Sequence, residues 1–145
     1  MGSVRTVVFV CQHGAAKSVL AAALLERLAA EQGLPLRALA RGTEPEPQVA
    51  PPVVAGLLAN GIDVTAWQPR PVTPGDLAQA WRVVSFGPDL SHLGPAGSLV
   101  EVWDDIPTVA DIPTVADDLQ AAQEAIADRL STLLQDLPEQ RVAGA

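Results

Sequence analysis

A buried strand that ends at the only cysteine of the chain is the feature that most constrains what this sequence can fold into. The apolar run from Val7 to Val10 leads directly into Cys11, and Lys17 and Ser18 then open an alanine-rich helical pattern. In a strand, loop and helix of this kind, the loop amides and the positive end of the helix dipole surround one point. This arrangement favours a thiolate at Cys11 and an oxyanion bound in front of it.

Strand-like and helix-like patterns alternate along the rest of the chain. Residues 4–10 are nearly all apolar after Thr6, which is typical of a strand covered on both faces of a parallel sheet. Further strands are expected at 36–40, 81–86 and 99–103, with 62–64 as another candidate for extended chain. Helices are expected at about 15–32, 53–60, 75–80 and 116–137. The alternation predicts an α/β fold whose site lies at the carboxyl ends of mostly parallel strands.

Composition restricts the partners and the compartment. The chain is long enough for one domain, expected at 1–138 with a flexible tail at 139–145. Its net charge of −8 argues against nucleic acid as a partner, and its apolar runs are too short for a membrane span. One cysteine allows no internal disulfide, and no signal-peptide pattern is present, so a cytoplasmic location is expected. Whether the chain is a monomer or a homodimer stays open.

Three blocks of sequence follow one another in a familiar order. The stretch from Cys11 to Ser18 matches the pattern C-x5-R-[ST] between a strand and a helix in all but one position. The second block is Arg41-Gly42-Thr43-Glu44-Pro45 with the later turn at 60–64, and the third runs from Arg70-Pro71-Val72-Thr73-Pro74 to about residue 84. Together these blocks resemble the low-molecular-weight protein tyrosine phosphatase and arsenate reductase superfamily.

The resemblance implies a flavodoxin-like fold with a four-stranded parallel sheet and helices on both faces. It also implies that the Cys11 thiolate attacks phosphorus or arsenic while the loop N–H groups and residue 17 hold the oxyanion. Ser18 is implied to hydrogen-bond the thiolate, and Gly14 to occupy a left-handed position that glycine reaches easily. The substrate-binding residues implied by the loop are Gln12, His13, Gly14, Ala15, Ala16, Lys17 and Ser18.

Lys17 stands where this superfamily has arginine. An arginine fork binds two oxyanion oxygens at once, whereas an ammonium acts as a point charge. Loss of one charge-assisted contact in the transition state costs on the order of 2–4 kcal/mol, or about 10²–10³ in rate. We therefore expect Lys17 to bind an oxyanion in the ground state and to support a slower or redirected reaction.

The general acid that protonates the leaving group is less well defined by the sequence. The superfamily places an Asp-Pro after a strand end, and the segment from Trp103 to Pro107 lacks that pair. Alignment on its two aspartates selects Asp105, with Asp104 and Asp111 as further candidates, whereas alignment on the proline puts Thr108 at the position. A third interpretation is that these carboxylates are solvated and that the acid has been lost.

Two histidines and two tryptophans are further candidates near the site. The sequence leaves open whether His13 is a plain polar loop residue or contacts substrate or thiolate. His92 lies in a polar segment and is expected to be inert. Trp67 and Trp103 are candidates for a pocket wall, although tryptophan is more often buried in a core. One cysteine and two distant histidines offer no metal-ligand spacing, so no metal is expected.

Three functions remain open at this point. The first is a cofactor-free phosphatase that acts on phosphate monoesters, phosphotyrosine among them, through a thiophosphate on Cys11, with Asp105 as the acid. The second is an arsenate reductase that needs an external low-molecular-weight thiol, because the additional cysteines of thioredoxin-linked reductases align with Gly87 and Gly94. The third is an oxyanion-binding or regulatory module with weak catalysis.

Overall fold

Four parallel strands alternate with helices in the computed structural model. The structure describes residues 4–93, 100–104, 106 and 116–136, and of residues 116–119 it describes the backbone alone. The strands are β1 (Arg5–Cys11), β2 (Leu36–Gly42), β3 (Arg82–Ser85) and β4 (Val100–Val102). The helices are α1 (Lys17–Gln32), α2 (Pro51–Ala59), α3 (Pro74–Gln79) and α4 (Ala116–Leu134), and a 3₁₀ turn spans Ser91–Leu93.

The strands form one sheet in the order β2-β1-β3-β4, and every pair is parallel. The register places Cys11 beside Gly42, and Val10 beside Ser85. Because the strands are parallel, their carboxyl ends lie at one edge of the sheet. The four-stranded parallel sheet expected from the sequence is confirmed. It brings the loops after β1, β2 and β3 together at the carboxyl end of β1, where Cys11 lies.

Both faces of the sheet are covered, which explains why β1 is almost wholly apolar. Val7 to Val10 are 0% exposed. Phe9 and its neighbours on one face pack against α1, α2 and α4, whereas Val8 and Val10 on the other face pack with Leu77 of α3. Burial on both sides stabilises this strand by about 1.5–3 kcal/mol for each large apolar side chain, so the residue at its end is fixed in position.

The structure corrects the expectations at a few boundaries. The candidate for extended chain at 62–64 is not part of the described sheet. Asp63 accepts a hydrogen bond from the N–H of Thr65 at 2.9 Å, and Val64 is buried in the core at 1% exposure. β3 is two residues shorter than expected, because Trp81 and Phe86 lie just outside its two ends. The expected fourth strand is shorter too, with Leu99 outside the described residues. The tail expected at 139–145 lies outside them as well.

Candidate active site

The loop between Cys11 and Lys17 is held from outside by the connection that follows β2. Its carbonyl groups accept backbone hydrogen bonds in sequence, at Cys11 from Thr43, at Gln12 from Glu44, at His13 from Glu46 and at Ala15 from Ala50, over distances of 2.7–3.2 Å. Within the described ranges, the N–H groups of residues 12–16 make no bond to another backbone group. Carbonyls that point outward and free amides are what an anion-binding loop requires.

Two glycines allow the loop and the end of β2 to touch. Gly14 has φ of +61°, a left-handed conformation that favours glycine. A Cβ added at Gly42 would lie 2.7 Å from the nitrogen of Gly14, closer than real Cβ atoms approach. Gly42 was not among the site residues expected from the sequence, although its place at the end of a strand in the second block was a signal. Its role is to let β2 approach the loop.

Cys11 and Ser18 form a buried pair at the start of α1. The Cys11 Sγ lies 3.1 Å from the Ser18 Oγ, and the two residues are 9% and 0% exposed. The Ser18 hydroxyl can donate to the sulfur when the sulfur is a thiolate, and the N-terminus of α1 adds its partial positive charge. Both effects stabilise the nucleophilic form of a cysteine.

An open cavity of about 920 Å³ lies in front of Cys11. Its wall comes from the loop after β1, from residues 43–50 after β2, and from residues 86–92 after β3. Of the loop residues expected to bind substrate, Gln12, His13, Ala15, Ala16 and Lys17 line this cavity, whereas Gly14 packs behind it and Ser18 lies beneath the sulfur.

Lys17 is the first residue of α1 and contributes a cation to the cavity wall. In the part of the chain that the structure describes, its ammonium group has neither an ion-pair partner nor a hydrogen-bond acceptor. A free ammonium beside a free set of amides and a buried cysteine can bind an anion with little rearrangement. The position expected from the sequence to hold the oxyanion is thus occupied by an available cation.

Gln12 and His13 turn their side chains toward the connection after β2. The Gln12 Nε2 donates to a carboxylate oxygen of Glu44 at 3.0 Å. The His13 Nδ1 lies 3.3 Å from the Glu44 carbonyl and 3.4 Å from the Glu46 carboxylate. His13 therefore contacts the connection after β2 and also lines the cavity, as do Glu44 and Glu46, which were not among the residues expected to bind substrate.

The general acid expected from the sequence cannot be placed. Asp105, Asp111 and Thr108 lie outside the described residues. Asp104 is described, is exposed, and is not one of the residues that line the cavity. The aspartate that the structure does put in the wall is Asp89, whose backbone follows β3.

Asp89 and His92 enter the cavity wall from the segment after β3. The N–H of Ser91 donates to Asp89 at 2.9 Å, and this bond, the Ser91 side chain and the nearby His92 together lower the pKa of the Asp89 carboxyl. Asp89 is therefore ionised at neutral pH. His92 lines the same cavity, a position that its sequence context did not predict.

The expected tryptophan walls are absent from the described cavity. Trp103 is 1% exposed and packs with Phe9 and Phe86, the ring centroids lying 5.8–6.3 Å apart. Trp67 lies in a separate, smaller cleft near Arg70. Phe86 is the one aromatic side chain, histidines aside, among the residues found in the cavity wall.

Among the residues in the described ranges, no group of three or more His, Cys, Asp and Glu side chains is placed to hold a metal ion. None of the described helices is long and apolar enough to span a membrane.

Comparison with known proteins gives one family match. The model of the low molecular weight phosphotyrosine protein phosphatase family matches residues 6–89 of the 145-residue chain. This range includes β1 apart from Arg5, the loop after it and all three sequence blocks. The comparison with curated proteins finds no match to this chain.

Several solved structures share the fold. A thioredoxin-dependent arsenate reductase from Corynebacterium glutamicum superposes with a TM-score of 0.71 at 24% identity, over 92% of this chain and 62% of that one. A low molecular weight protein tyrosine phosphatase from Bacillus subtilis gives 0.74 at 18% identity, over 94% and 99%. An arginine phosphatase from Geobacillus stearothermophilus gives 0.76 at 16% identity, over 97% of both chains. The chain thus spans less than two thirds of the Corynebacterium protein, and likenesses at this identity show the fold alone.

Proposed function

Because the chain belongs to the low molecular weight phosphotyrosine protein phosphatase family, we propose that it is a cysteine-dependent phosphatase that hydrolyses phosphate monoesters. The observation that carries the proposal is the buried Cys11–Ser18 pair, with its two side-chain atoms 3.1 Å apart, because Cys11 lines a cavity whose wall also holds Lys17. A nucleophile, an oxyanion site and room for a leaving group are the parts that this reaction needs.

In the first step, the Cys11 thiolate attacks the phosphorus of the monoester. A sulfur–phosphorus bond forms, the ester bond to the leaving oxygen breaks, and that oxygen takes a proton from a general acid. The free amides of residues 12–16 and the Lys17 ammonium hold the three non-bridging oxygens throughout. We assign the acid to Asp105, as the sequence block after β4 suggests.

In the second step, water attacks the thiophosphate. The water loses a proton to the carboxylate left by the first step, the sulfur–phosphorus bond breaks, and inorganic phosphate and the thiolate are released. Ser18 stabilises the departing thiolate because its hydroxyl lies within hydrogen-bond distance of the sulfur. The reaction uses no cofactor.

Reduction of arsenate is the second candidate. The thiolate would displace water from arsenate, and an external thiol would then attack Sγ and release arsenite, leaving a mixed disulfide on Cys11 that a second thiol reduces. The breadth of the cavity in front of the sulfur favours this candidate, since an external thiol must reach the adduct. The chain itself has one cysteine and cannot supply that thiol.

The test compares the native protein with Cys11→Ser on a chromogenic aryl phosphate. We expect turnover by the native protein and a loss of at least about 10³-fold in the variant, with phosphate binding and thermal unfolding retained as controls. Equal turnover by both proteins would remove the proposal. Arsenate-dependent consumption of glutathione or mycothiol, without aryl phosphate hydrolysis, would favour the second candidate. Phosphate binding without either reaction would identify a binding module.

A further inference from the structure

The wall of the cavity in front of Cys11 carries charges of both signs. Positive charge comes from the N-terminus of α1 and from Lys17, which has no acidic partner among the described residues. The same wall holds Glu44, Glu46 and Asp89, all three of them exposed residues. The leaving group of a phosphoryl compound bound at Cys11 therefore shares the cavity with three carboxylates.

These carboxylates are held in place by contacts with the site itself. Glu44 accepts from Gln12 at 3.0 Å, and Glu46 lies 3.4 Å from His13, so both are attached to the loop. Asp89 is fixed by the N–H of Ser91 at 2.9 Å. The three charges thus come from two different connections, after β2 and after β3, and both connections present them to one cavity.

This charge distribution disfavours most phosphate monoesters. A bound phosphate dianion next to a thiolate already exceeds the one positive charge of Lys17, and three carboxylates at the rim add repulsion toward that dianion and toward an anionic leaving group. A positive charge on the leaving group reverses the sign of the interaction with the rim. The aromatic ring found in the described wall, Phe86, is only 7% exposed, so stacking on a broad aromatic rim does not offset the charges.

We propose that the cavity selects phosphoryl compounds whose leaving group carries a positive charge, with Glu44, Glu46 and Asp89 as the residues that determine this specificity. The inference rests on the proposed phosphatase function, whose site it uses, and names the substrate class of that site. Lys17 and the loop bind the phosphoryl group, and the three carboxylates bind the cation at the other end of the substrate.

The test uses two nitrophenyl phosphates whose leaving nitrophenols are identical except for one side arm on the ring. One arm ends in a trimethylammonium group and the other in its neutral isostere, a tert-butyl group, on the same short linker. We expect kcat/KM to favour the cationic compound by about tenfold at low ionic strength, and the ratio to fall toward one as salt rises.

Three isosteric variants assign the preference to the rim. Glu44→Gln, Glu46→Gln and Asp89→Asn remove one charge each but keep an oxygen that can accept the existing hydrogen bond. Each is expected to lower the ratio of kcat/KM values about two- to threefold. Glu31→Gln is the matched control, because this exposed residue near the end of α1 pairs with Arg27, away from the cavity, and its ratio should equal that of the native protein.

The outcomes separate this inference from the proposed function. Cys11-dependent turnover with a ratio of one, or with preference for the neutral compound, would overturn the inference and leave the phosphatase intact. If neither compound is hydrolysed, the proposed function fails. The dissociation constants of the two corresponding phosphonates, measured by calorimetry, then test charge selection by itself. Tighter binding of the cationic phosphonate, weakened in the rim variants, would still support charge selection, whereas equal dissociation constants would exclude it.

Discussion

The replacement of arginine by Lys17 is the residue-scale change with the clearest consequence for the reaction. Lys17 lines the cavity, and its ammonium has no partner among the described residues. An ammonium acts as a point charge, whereas the planar guanidinium of arginine binds two oxygens at once. Lys17→Arg should therefore raise kcat for an aryl phosphate by about 10- to 100-fold, and Lys17→Met should weaken phosphate binding.

Steady-state kinetics and phosphate calorimetry on the two variants check this prediction. The informative comparison is between kcat and KM, because a contact made only in the transition state raises kcat, whereas a contact made equally in the ground and transition states lowers KM alone. A Lys17→Arg protein that folds and binds phosphate but turns over no faster than the native protein would mean that residue 17 does not contact the transition state.

Gly42 is the second residue whose identity the structure requires. A methyl group there would lie 2.7 Å from the nitrogen of Gly14 and 2.8 Å from the carbonyl carbon of His13, so the loop or β2 must move. We expect Gly42→Ala to lower the free energy of unfolding by about 1–3 kcal/mol and to reduce activity by more than that loss of folded protein explains.

Denaturant unfolding measured alongside kcat/KM gives the two effects separately. Gly75→Ala is a matched control, since its added Cβ would meet nothing nearer than the Thr73 hydroxyl at 3.7 Å and alanine is the better helix former. A Gly42→Ala protein as stable and as active as this control would show that the close approach of the loop and β2 is not required.

At the scale of the elements, a half-buried ion pair joins α3 to the sheet beside the site. The Arg41 Nε of β2 lies 3.1 Å from the Asp76 Oδ2 of α3, and both side chains are 17% exposed. The same Asp76 oxygen accepts from the N–H of Thr73 and completes the capping box of α3. One carboxylate thus starts the helix and attaches it to the strand that carries Gly42 at its end.

Asp76→Ala should destabilise the protein by about 2–4 kcal/mol, because it removes the cap and leaves the Arg41 charge without its partner. Chemical denaturation at neutral pH measures the change. Glu31→Ala, which breaks the exposed pair with Arg27, is the comparison and should cost less than about 0.5 kcal/mol. Equal costs for the two variants would show that burial adds nothing to the Arg41–Asp76 pair.

The alternation of elements could be predicted from the sequence because it depends on local periodicity and on punctuation by glycine and proline. β1 and α1 are strongly patterned, so they were expected close to where they lie. The segment 62–64 has strand-like residues but is too short to override the turn that Asp63 makes with Thr65. Short segments of this kind are decided by side-chain hydrogen bonds, which apolar patterning does not show.

At the scale of the whole molecule, the parallel sheet explains which site residues were predictable. Cys11, Lys17 and Ser18 lie on one continuous segment, so their spacing was enough to suggest their meeting. Glu44, Glu46, Asp89 and His92 come from two other connections, and they reach the cavity only because all strands end at the same edge. Glu44 stands in the second sequence block, but no local pattern shows that any of the four reaches the cavity, and His92 was therefore expected to be inert.

The proposed reaction passes through a covalent phosphoryl group on Cys11, in a site that three connections of the sheet build together. Rapid mixing with an aryl phosphate, followed by an acid quench and peptide mass spectrometry, tests this claim most directly. We predict one phosphoryl group on the peptide that contains Cys11 in the native protein, formed no more slowly than product, and none in Cys11→Ser. A phosphoryl group on a histidine instead, or turnover at the native rate with Cys11 never modified, would contradict it.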